Sequence, residues 1–405
     1  MAELYSLPDG WEWKKLGKIA KLQNGFAFKS KLFVNDGLPI VRIKNIKNEK
    51  VLLDDVVYFN VEDYGKKLDS YQIKKNDILI AMSGATTGKI GLYDTEEISY
   101  LNQRVGLFRI ENSNLRSYLF YFLSTQIEKN LELSLGAAQP NLSTEQINNI
   151  ELPLPPLEEQ KRIVAKLDIL FAKIDKAIAL HQKNIDEADI FMASVLNDVF
   201  MELNTNETIE LKYITSKIGS GSTPRGGQKA YKNEGISLIR SMNVHDNGFR
   251  SKGLVFIDDE QANKLDNVTI KENDILLNIT GASVARCCIV DKNYLPARVN
   301  QHVSIIRLED KFIPNFLHYY IISPSVKSDL LFSSSGGATR EAITKSMLEE
   351  FKVPKVSIVT QQKVVAYLDE ISNKMEKIKN LQKKKMQSLK ELKASILDKA
   401  FKGEL

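Results

Sequence analysis

An internal duplication is the feature that most constrains how this chain folds. Residues 71–94 (YQIKKNDILIAMSGATTGKIGLYD) align without a gap to residues 268–291 (VTIKENDILLNITGASVARCCIVD), and nine of the 24 positions are identical. Shorter matches follow in the same order, among them QKRIVAKLD at 160–168 and QQKVVAYLD at 361–369. The period is roughly half of the chain, far longer than the units of a solenoid. The sequence therefore predicts two similar halves, each large enough to form a domain.

Composition indicates a globular protein. The 405 residues are 43% hydrophobic, which is enough for full-sized cores, and no run of about 18 apolar residues predicts a membrane span. The first fifteen residues show no signal-peptide h-region, and Cys287 and Cys288 are adjacent. Adjacent side chains on a strand point to opposite faces, so we expect neither a disulfide nor a metal site there, and a cytoplasmic location. The net charge of +5 is weakly basic and by itself identifies no partner.

Each half begins with a mixed region of about 150 residues in which short β-type runs alternate with turns. Their apolar alternation and Gly/Asn punctuation favour a curved, mostly antiparallel sheet. The predicted strands are 39–43, 77–82, 89–93 and 105–110 in the first half, and 236–240, 274–279, 287–290 and 303–308 in the second. A helix is predicted after each set, over 115–133 and 313–331. Ser143 and Gln146 predict a capping box on a further short helix.

Each half ends in a long helix with a coiled-coil stripe, because apolar residues recur there at alternating spacings of four and three. Neither helix can bury its stripe alone. The two are therefore expected to pack on each other, antiparallel because a whole domain separates them in sequence. About 40 residues would make a rod of roughly 60 Å, with a globule expected near each end. The residues predicted to form this packing are Ile163, Leu167, Leu170, Ile174, Val364, Leu368, Ile371, Met375 and Ile378.

These patterns predict an α+β fold. It consists of two pseudo-symmetric mixed α/β domains separated by two long helices that pack as an antiparallel coiled coil. The predicted boundaries are 1–155 for the first domain, 156–204 for the central helix, 205–356 for the second domain and 357–405 for the C-terminal helix.

The common enzyme motifs do not fit this chain. The segment SGATTGK at 83–89 resembles a phosphate loop, but its glycines enclose three residues instead of four, and the second copy reads TGASVAR. Pro8-Asp9 with Glu12-Trp13-Lys14 resembles a PD…ExK nuclease site, but these acids are too close in sequence to come from two neighbouring strands. We therefore predict no catalytic residue and no metal ligand. A nuclease with an unrecognised site stays open as an alternative.

Polar and basic residues recur at strand ends in both halves, and as a set they suit DNA. Arg and Lys contact phosphates or guanine, Asn and Gln pair with adenine, and Ser and Thr serve either purpose. Any single member is about as well explained as a solvated loop residue. The candidates are Lys29, Arg42, Lys44, Ser83, Thr86, Thr87, Lys89, Asn102, Gln103, Arg104, Gln139, Asn141, Ser222, Thr223, Arg225, Arg240, Asn243, Thr280, Ser283, Arg286, Asn300, Gln301, His302 and Arg340.

With these residues, the chain closely resembles the specificity (S) subunits of type I restriction–modification systems over essentially its whole length. The order and duplication of the matching stretches, together with the two helices, carry the resemblance more than any single motif does. The stretches are LPDGWEWKKLGKIA at 7–20, IKKNDILIAMSGATTGKIG at 73–91, LNQRVGLFRI at 101–110, QPNLSTEQINNIELPLPPLEEQKRIVAKLD at 139–168, SGSTPRGG at 220–227 and ILDKAFKGEL at 396–405.

The resemblance implies a non-catalytic subunit. Its two domains would be target-recognition domains, each reading one half of a split, asymmetric site in double-stranded DNA. Its helices would space the domains and dock two modification (methyltransferase) subunits, which bind S-adenosylmethionine and methylate adenine. Restriction (endonuclease/translocase) subunits would join them and use ATP and Mg²⁺. This chain itself would bind no cofactor.

The predicted rod also fits two DNA sites one turn apart, because B-DNA rises about 34 Å per turn. Shortening the rod by about one helical turn is then expected to change the gap between half-sites. Residues kept in both copies, such as Asn102/Asn300, are expected to serve the fold or the DNA backbone. Residues that differ at matched places are expected to read bases; these include Arg104/His302, Thr87/Val284 and Gln139/Arg340, together with the unlike loops Gln23–Lys31 and Ser220–Lys229. A coiled-coil scaffold whose domains bind protein is the other alternative.

Overall fold

The computed structural model describes residues 5–64, 66–134, 141–203, 207–334 and 342–405, and it confirms the mixed α/β architecture with two long helices. The chain forms two compact units, Met1–His181 with Lys384–Leu405, and Gln182–Lys383. Both divisions fall inside the long helices, so each unit contains one globular region and a segment of each helix. The predicted domain boundaries, which separate helices from globules, stay predictions.

The first unit is built from short strands in mixed sheets. One sheet has the spatial order Leu22–Asn24, Val105–Phe108, Ile78–Ala81, Ile90–Leu92, Glu49–Val51 and Ile46–Lys47. Another has the order Val57–Phe59, Leu38–Val41, Ser99–Leu101 and Gln72–Ile73, and Glu12–Lys15 pairs with Glu151–Leu154. Leu38–Val41 is parallel to Ser99–Leu101, and Glu49–Val51 to Ile90–Leu92, whereas the other pairings between these strands are antiparallel. The helices of its globular region are Leu16–Ile19, Ser113–Thr125, Ile127–Ser134 and Thr144–Asn148, with 3-10 turns at Ser30–Leu32, Ile43–Asn45, Val61–Asp63, Lys66–Tyr71 and Gly84–Thr86.

The second unit repeats this design. One sheet has the order Thr215–Ser220, Val303–Leu308, Ile275–Asn278 and Cys287–Ile289, and another has the order Val255–Ile257, Ile236–Ile239 and Ala297–Val299. Thr208–Glu210 pairs with Lys352–Pro354, and Val244–His245 with Gly248–Phe249. The helices of its globular region are Asp259–Lys264, Pro314–Ile322, Pro324–Ser334 and Lys345–Glu349, with 3-10 turns at Leu211–Tyr213, Gly227–Ala230, Ser241–Asn243, Asp266–Val268 and Lys292–Tyr294.

Local sequence signals explain where several elements begin and end. The predicted capping box is confirmed, because Ser143 Oγ accepts from Gln146 N at 3.1 Å and Gln146 Oε1 accepts from Ser143 N at 2.8 Å. Each predicted single helix after the strands is instead two helices. In the second unit the break is at Ser323, whose backbone is extended (ψ 138°) because Pro324 disfavours a helical residue before it. In the first unit the helix ends at Gln126, where the backbone leaves regular α geometry (ψ 0°).

The long helices, Leu157–Glu202 and Ile358–Lys402, pack antiparallel, as predicted. In the first unit Asp175 pairs with Lys393 at 3.5 Å, and Arg162 donates to the carbonyl oxygen of Leu405 at 2.8 Å. The N-terminal part of the first helix therefore packs against the C-terminal part of the second. In the second unit Asp189 likewise pairs with Lys379 at 3.0 Å, while Leu196 and Leu368 share one buried cluster.

Most of the predicted packing residues lie on the inner faces of these helices. Ile163, Leu167 and Leu368 are fully buried, and Ile174 is nearly so. The structure does not place Ile378 in the packing, since it is 40% exposed. Its neighbour Lys379 is turned inward instead, with a side chain 15% exposed, because the apolar repeat loses its phase along this stretch. Within the described ranges, no helix combines the length and apolar character needed to cross a membrane.

A buried ion pair is duplicated in the two units, and the sequence patterns did not predict it. Arg109 donates to both carboxylate oxygens of Asp77, at 3.0 and 2.6 Å, and Arg307 does the same to Asp274, at 2.8 and 2.7 Å. Each aspartate also accepts a backbone N–H from three residues earlier. These bonds join the turn before a central strand to the neighbouring strand. A signal for them exists in the sequence, because the aspartates and arginines stand at equivalent places in both copies.

Candidate nucleic-acid interface

The strand ends that present the candidate residues have the same backbone design in both units. The segment 83–89 is a turn between Ile78–Ala81 and Ile90–Leu92, as predicted, and Gly84 adopts a positive φ of 78° that favours glycine. Gly281 repeats this conformation with φ 79°. Isolated bridges join Ser83 to Asn141 and Thr280 to Ala342. Two matched loop clusters thus carry side chains at the ends of the central strands.

Four candidates are held inside the fold and do not present their side chains to DNA. Asn102 and Asn300 are 7% exposed, and their Oδ1 atoms accept the backbone N–H two residues later. Asn243 is fully buried and bonds to three backbone groups, at Arg240, Arg250 and Lys252. Thr87 is 2% exposed, and its hydroxyl donates to the carbonyl of Gly84 at 2.7 Å. Polar side chains with such bonds satisfy backbone groups that a strand end would leave open.

A basic cleft of about 380 Å³ brings several first-unit candidates together. Arg42, Lys44, Gln103 and Arg104 line it, beside aromatic rings that the sequence analysis did not select. The Lys44 ammonium binds the carboxylate of Asp55 and holds the pKa of that carboxyl below its usual range through this hydrogen bond and charge. Arg42 Nε is buried and has no acceptor among the described residues. The cleft thus contains basic groups whose hydrogen-bonding capacity the fold does not fully use.

The missed aromatic residues of this cleft are Phe28 and Phe33. The second-unit counterpart of Phe33 is Tyr231, and the guanidinium of Arg240 lies 5.3 Å from its ring centroid. The same guanidinium donates to the carbonyl of Gly253 at 2.6 Å, while Nε of Arg240 is buried and has no partner in the part of the chain that the structure describes. A sequence signal for these rings was present, since FVNDG at 33–37 aligns with YKNEG at 231–235.

The remaining candidates differ in exposure. Thr280 Oγ1 lies 2.6 Å from His302 Nδ1, which orients the imidazole. Gln139 and Arg340 lie outside the described residues. The exposed candidates are Lys29, Lys89, Gln103, Arg104, Asn141, Ser222, Thr223, Arg225 and Gln301. The partly exposed ones are Arg42, Lys44, Ser83, Thr86, Arg240, Thr280, Ser283, Arg286 and His302.

Two thiols and one imidazole, which are groups that often serve in catalysis, are buried. Cys287 and Cys288 are buried free thiols, and burial raises the pKa of Cys288 to about 12, so it stays protonated at neutral pH. Burial lowers the pKa of His318 and keeps its imidazole neutral. Among the described residues, no group of three His, Cys, Asp or Glu side chains is placed to hold a metal ion. The arrangement offers basic, amide and hydroxyl groups at loop tips, which suits recognition of a polyanion.

Comparison with known proteins agrees with this arrangement. The family model described as Type I restriction modification DNA specificity domain matches residues 8–188 and again residues 203–386. The EcoBI specificity subunit of a type I restriction enzyme from Escherichia coli is 28% identical over 433 aligned positions, which cover 99% of this chain and 88% of that protein. The EcoKI specificity subunit from Escherichia coli K12 is 24% identical, covering 98% of this chain and 90% of the relative.

A solved structure of the type I R-M system contains a chain with the same fold. Its TM-score is 0.71 at 22% identity, and the match covers 99% of this chain and all of that one. The two matches of the family model coincide with the two globular regions and extend into the long helices. The chain therefore belongs to the type I restriction–modification DNA specificity family and is a specificity subunit of that kind.

Proposed function

We propose that this subunit reads a split, asymmetric site in double-stranded DNA, one half with each unit. The duplicated strand-end clusters carry this proposal. Their backbones match, whereas their exposed side chains differ: Arg104 stands where the second copy has His302, and Lys44 where it has Met242. Two different DNA words can be read in one docking geometry when the backbone is shared and the side chains that contact bases differ.

The first-unit cleft supports a specific assignment. Arg104 is exposed at the rim of the cleft, where a guanidinium can reach both acceptors of guanine in the major groove. His302 is partly buried and held by Thr280, so it offers one oriented ring edge instead of a flexible fork. Lys89 and Arg286, which are alike in charge, are assigned to phosphates. The buried asparagines Asn102 and Asn300 position the loops and read nothing.

The partners we propose are two modification (methyltransferase) subunits and the restriction (endonuclease/translocase) subunits, with S-adenosylmethionine, ATP and Mg²⁺ bound by those partners and the whole complex in the cytoplasm. Exposed apolar side chains along both long helices support docking of other subunits there, since their burial in an interface would be favourable. They are Ile169, Leu180, Ile190, Phe191, Met201, Val359, Tyr367, Leu381 and Leu392.

The test is selection of duplexes from a randomised DNA library by the chain with its modification subunits, followed by sequencing. We expect two short words separated by a constant gap. Arg104→Ala should relax one base pair of one word, by about 1–3 kcal/mol, and leave the other word unchanged. His302→Ala should affect only the second word. A single continuous word, or one word altered by both variants, would refute the assignment.

A further inference from the structure

A second cleft, of about 690 Å³, lies wholly within the second unit, where segments of both long helices meet the globular region. The carboxylates of Asp189, Asp246 and Glu376 line it, together with Ser372 and Met192. The lining residues include none of the DNA candidates and none of the exposed apolar residues assigned to subunit docking. This cleft therefore needs an explanation of its own.

The duplication identifies the equivalent place in the first unit. The two long helices align without a gap, so that Phe171 corresponds to Ser372 and Asp175 to Glu376. Toward their ends, MASVLNDVF at 192–200 aligns with KASILDKAF at 393–401, which makes Met192 the counterpart of Lys393.

A tyrosine contact shows that this sequence alignment is also a structural one. Tyr121 donates its hydroxyl to Asp168 at 2.5 Å, and Tyr319 donates to the aligned Asp369 at 2.6 Å. Each tyrosine belongs to the helix that follows the central strands. The register between that helix and the long helix is therefore the same in both units, and the positions three residues beyond the aspartates are equivalent.

In the first unit this place is filled by a ring and an ammonium group. Phe171 is 4% exposed, and its ring centroid lies 5.4 Å from that of Tyr121. Lys393 Nζ lies 4.7 Å from the Phe171 ring centroid, 3.5 Å from Asp175 and 3.6 Å from Glu49. The ammonium is thus bound by two carboxylates and an aromatic face, a strong combination for a cation.

In the second unit Ser372 and Met192 stand at these two positions, while the acid at the Asp175 position is kept as Glu376. Lys379 binds Asp189 at 3.0 Å and Glu376 at 3.1 Å, and Lys327 pairs with Asp246. Three carboxylates line the cleft and two ammonium groups bind them, so one negative charge is not balanced. The side chains of Asp189 and Glu376 are 64% and 52% exposed, so the unbalanced charge faces the cleft and attracts a cation, because a cleft focuses the field of its charges.

We propose that this cleft binds an organic cation, a primary ammonium or guanidinium group on an apolar body, in the place that Phe171 and Lys393 fill in the first unit. The cationic group lies among the carboxylates, and the apolar body packs beside Met192 and fills the space left by Ser372. The proposal goes beyond DNA recognition and does not depend on it. Such a cationic group is supplied either by a free amine or by a lysine or arginine side chain of a docked protein.

The probe is phenethylammonium, which combines the ring of Phe171 with the ammonium of Lys393, and 2-phenylethanol is its neutral match. Both are titrated into the full chain labelled with ¹³C at its methionine methyl groups, because Met192 and Met375 line the cleft. We expect saturable shifts of these two signals with the cation, and binding weaker by about tenfold or more for the alcohol. Equal binding of the alcohol, or no saturable shift at these methyls, would overturn the proposal.

Variants locate the site. Ser372→Phe restores the ring of the first unit and should weaken phenethylammonium binding by about tenfold or more, whereas Ser395→Phe, the same change at an exposed position of the same helix, should not. Met192→Lys supplies an internal ammonium and should also abolish binding, which gives a second variant should Ser372→Phe fail to fold. Unchanged affinity in either folded variant would contradict the assignment.

The two sources are separated by adding a modification subunit to the probe-loaded chain, an arm that rests on the proposed function. Release of phenethylammonium identifies a cationic side chain of that subunit as the occupant. Retention of the probe in the assembled complex identifies a free amine. Failure of the complex to assemble would count against the proposed docking and leave the titrations of the chain alone to decide the cation site.

Discussion

At the scale of single residues, the two copies separate side chains that build the fold from those free to differ. Asp77 and Asp274 are buried. Each binds the arginine at the equivalent position of its own unit and caps the turn before the central strand. Asn102 and Asn300 play matched structural roles as well. The loop positions beside them differ between the copies: Arg104 is exposed, whereas His302 is partly buried and hydrogen-bonded to Thr280. Selection for two DNA words can therefore act on those positions without disturbing the sheet.

Asp274→Ala should strongly destabilise the second unit, because it leaves the guanidinium of Arg307 without its carboxylate next to a buried strand. The expected loss is about 3–5 kcal/mol in free energy of unfolding. The measurement is amide hydrogen exchange of peptides from Ile275–Asn278 and Val303–Leu308. Glu260→Ala removes an exposed ion pair with Lys264 and should cost less than about 1 kcal/mol. Similar effects of the two changes would show that the buried pair is not special.

Lys89→Ala should weaken binding to every DNA sequence by a similar factor, because an exposed lysine at a matched strand end is assigned to a phosphate. The slope of log affinity against log salt should become shallower by about 0.9. Binding assays over a salt series on target and unrelated duplexes provide the measurement. Lys183→Ala, on an exposed face of the first long helix, serves as control. A loss confined to the target sequence would reassign Lys89 to a base.

At the scale of elements, the long helices owe their stability to one face each. Leu167 and Leu368 stand at aligned positions and are both fully buried. Tyrosine hydroxyls tie each helix to its globule at the neighbouring aspartates. Burial and the adjacent carboxylate both raise the pKa of Tyr121 and Tyr319, so these hydroxyls remain protonated donors at neutral pH. The helix segments are thus parts of the two cores.

Leu167→Ala should cost about 2–5 kcal/mol, because it opens a cavity in the core of the first unit. Ile169→Ala on the same helix turn should cost less than about 0.5 kcal/mol, since Ile169 is 58% exposed. Urea denaturation, followed by the fluorescence of Trp11 and Trp13 in that unit, gives the free energies of unfolding of the two variants for comparison. An equal loss would mean that Ile169 is covered within the chain.

At the scale of the whole molecule, the duplication gives one chain two unequal copies of one reading device. The two units divide within the helices, so each helix contributes to both. We propose that the helices set the distance between the two DNA words. This follows from their length in residues and from the rise of an α-helix, about 1.5 Å per residue.

Removing one heptad, about seven residues, from both helices near the division at His181 and Lys384 keeps the apolar phase and shortens each by about 10 Å. We expect the complex with modification subunits to select a shorter gap between unchanged half-sites. Sequencing of selected duplexes measures this. An unchanged gap in a folded variant would exclude a spacing role for the helices.

Much of the fold could be predicted because its signals are local. Apolar alternation located the strands, the spacing of Leu167 and Leu170 indicated a helix seam, and Ser143 with Gln146 marked a helix start. Ile378 was misplaced because a seven-residue repeat drifts from the true helix period when its phase is not reset. The break at Ser323 could have been predicted from Pro324.

The candidate site could be predicted only as a set. Polar residues at strand ends look alike in sequence whether they face solvent or bond inward, so Thr87, Asn102 and Asn243 were selected together with Arg104. The aromatic partners Phe28 and Phe33 were missed because apolar residues are assigned to cores by default.

The sequence by itself determined that there are two copies, that each ends in a helix, and that the helices pair antiparallel, because periodicity and order are properties of the chain. Only the tertiary structure decided which polar side chains point inward and where Ser372 leaves a cleft that Phe171 closes. Burial depends on which distant segment covers a residue, and no local pattern records that. The duplication became informative at this level, since each unit shows what the other has kept and what it lacks.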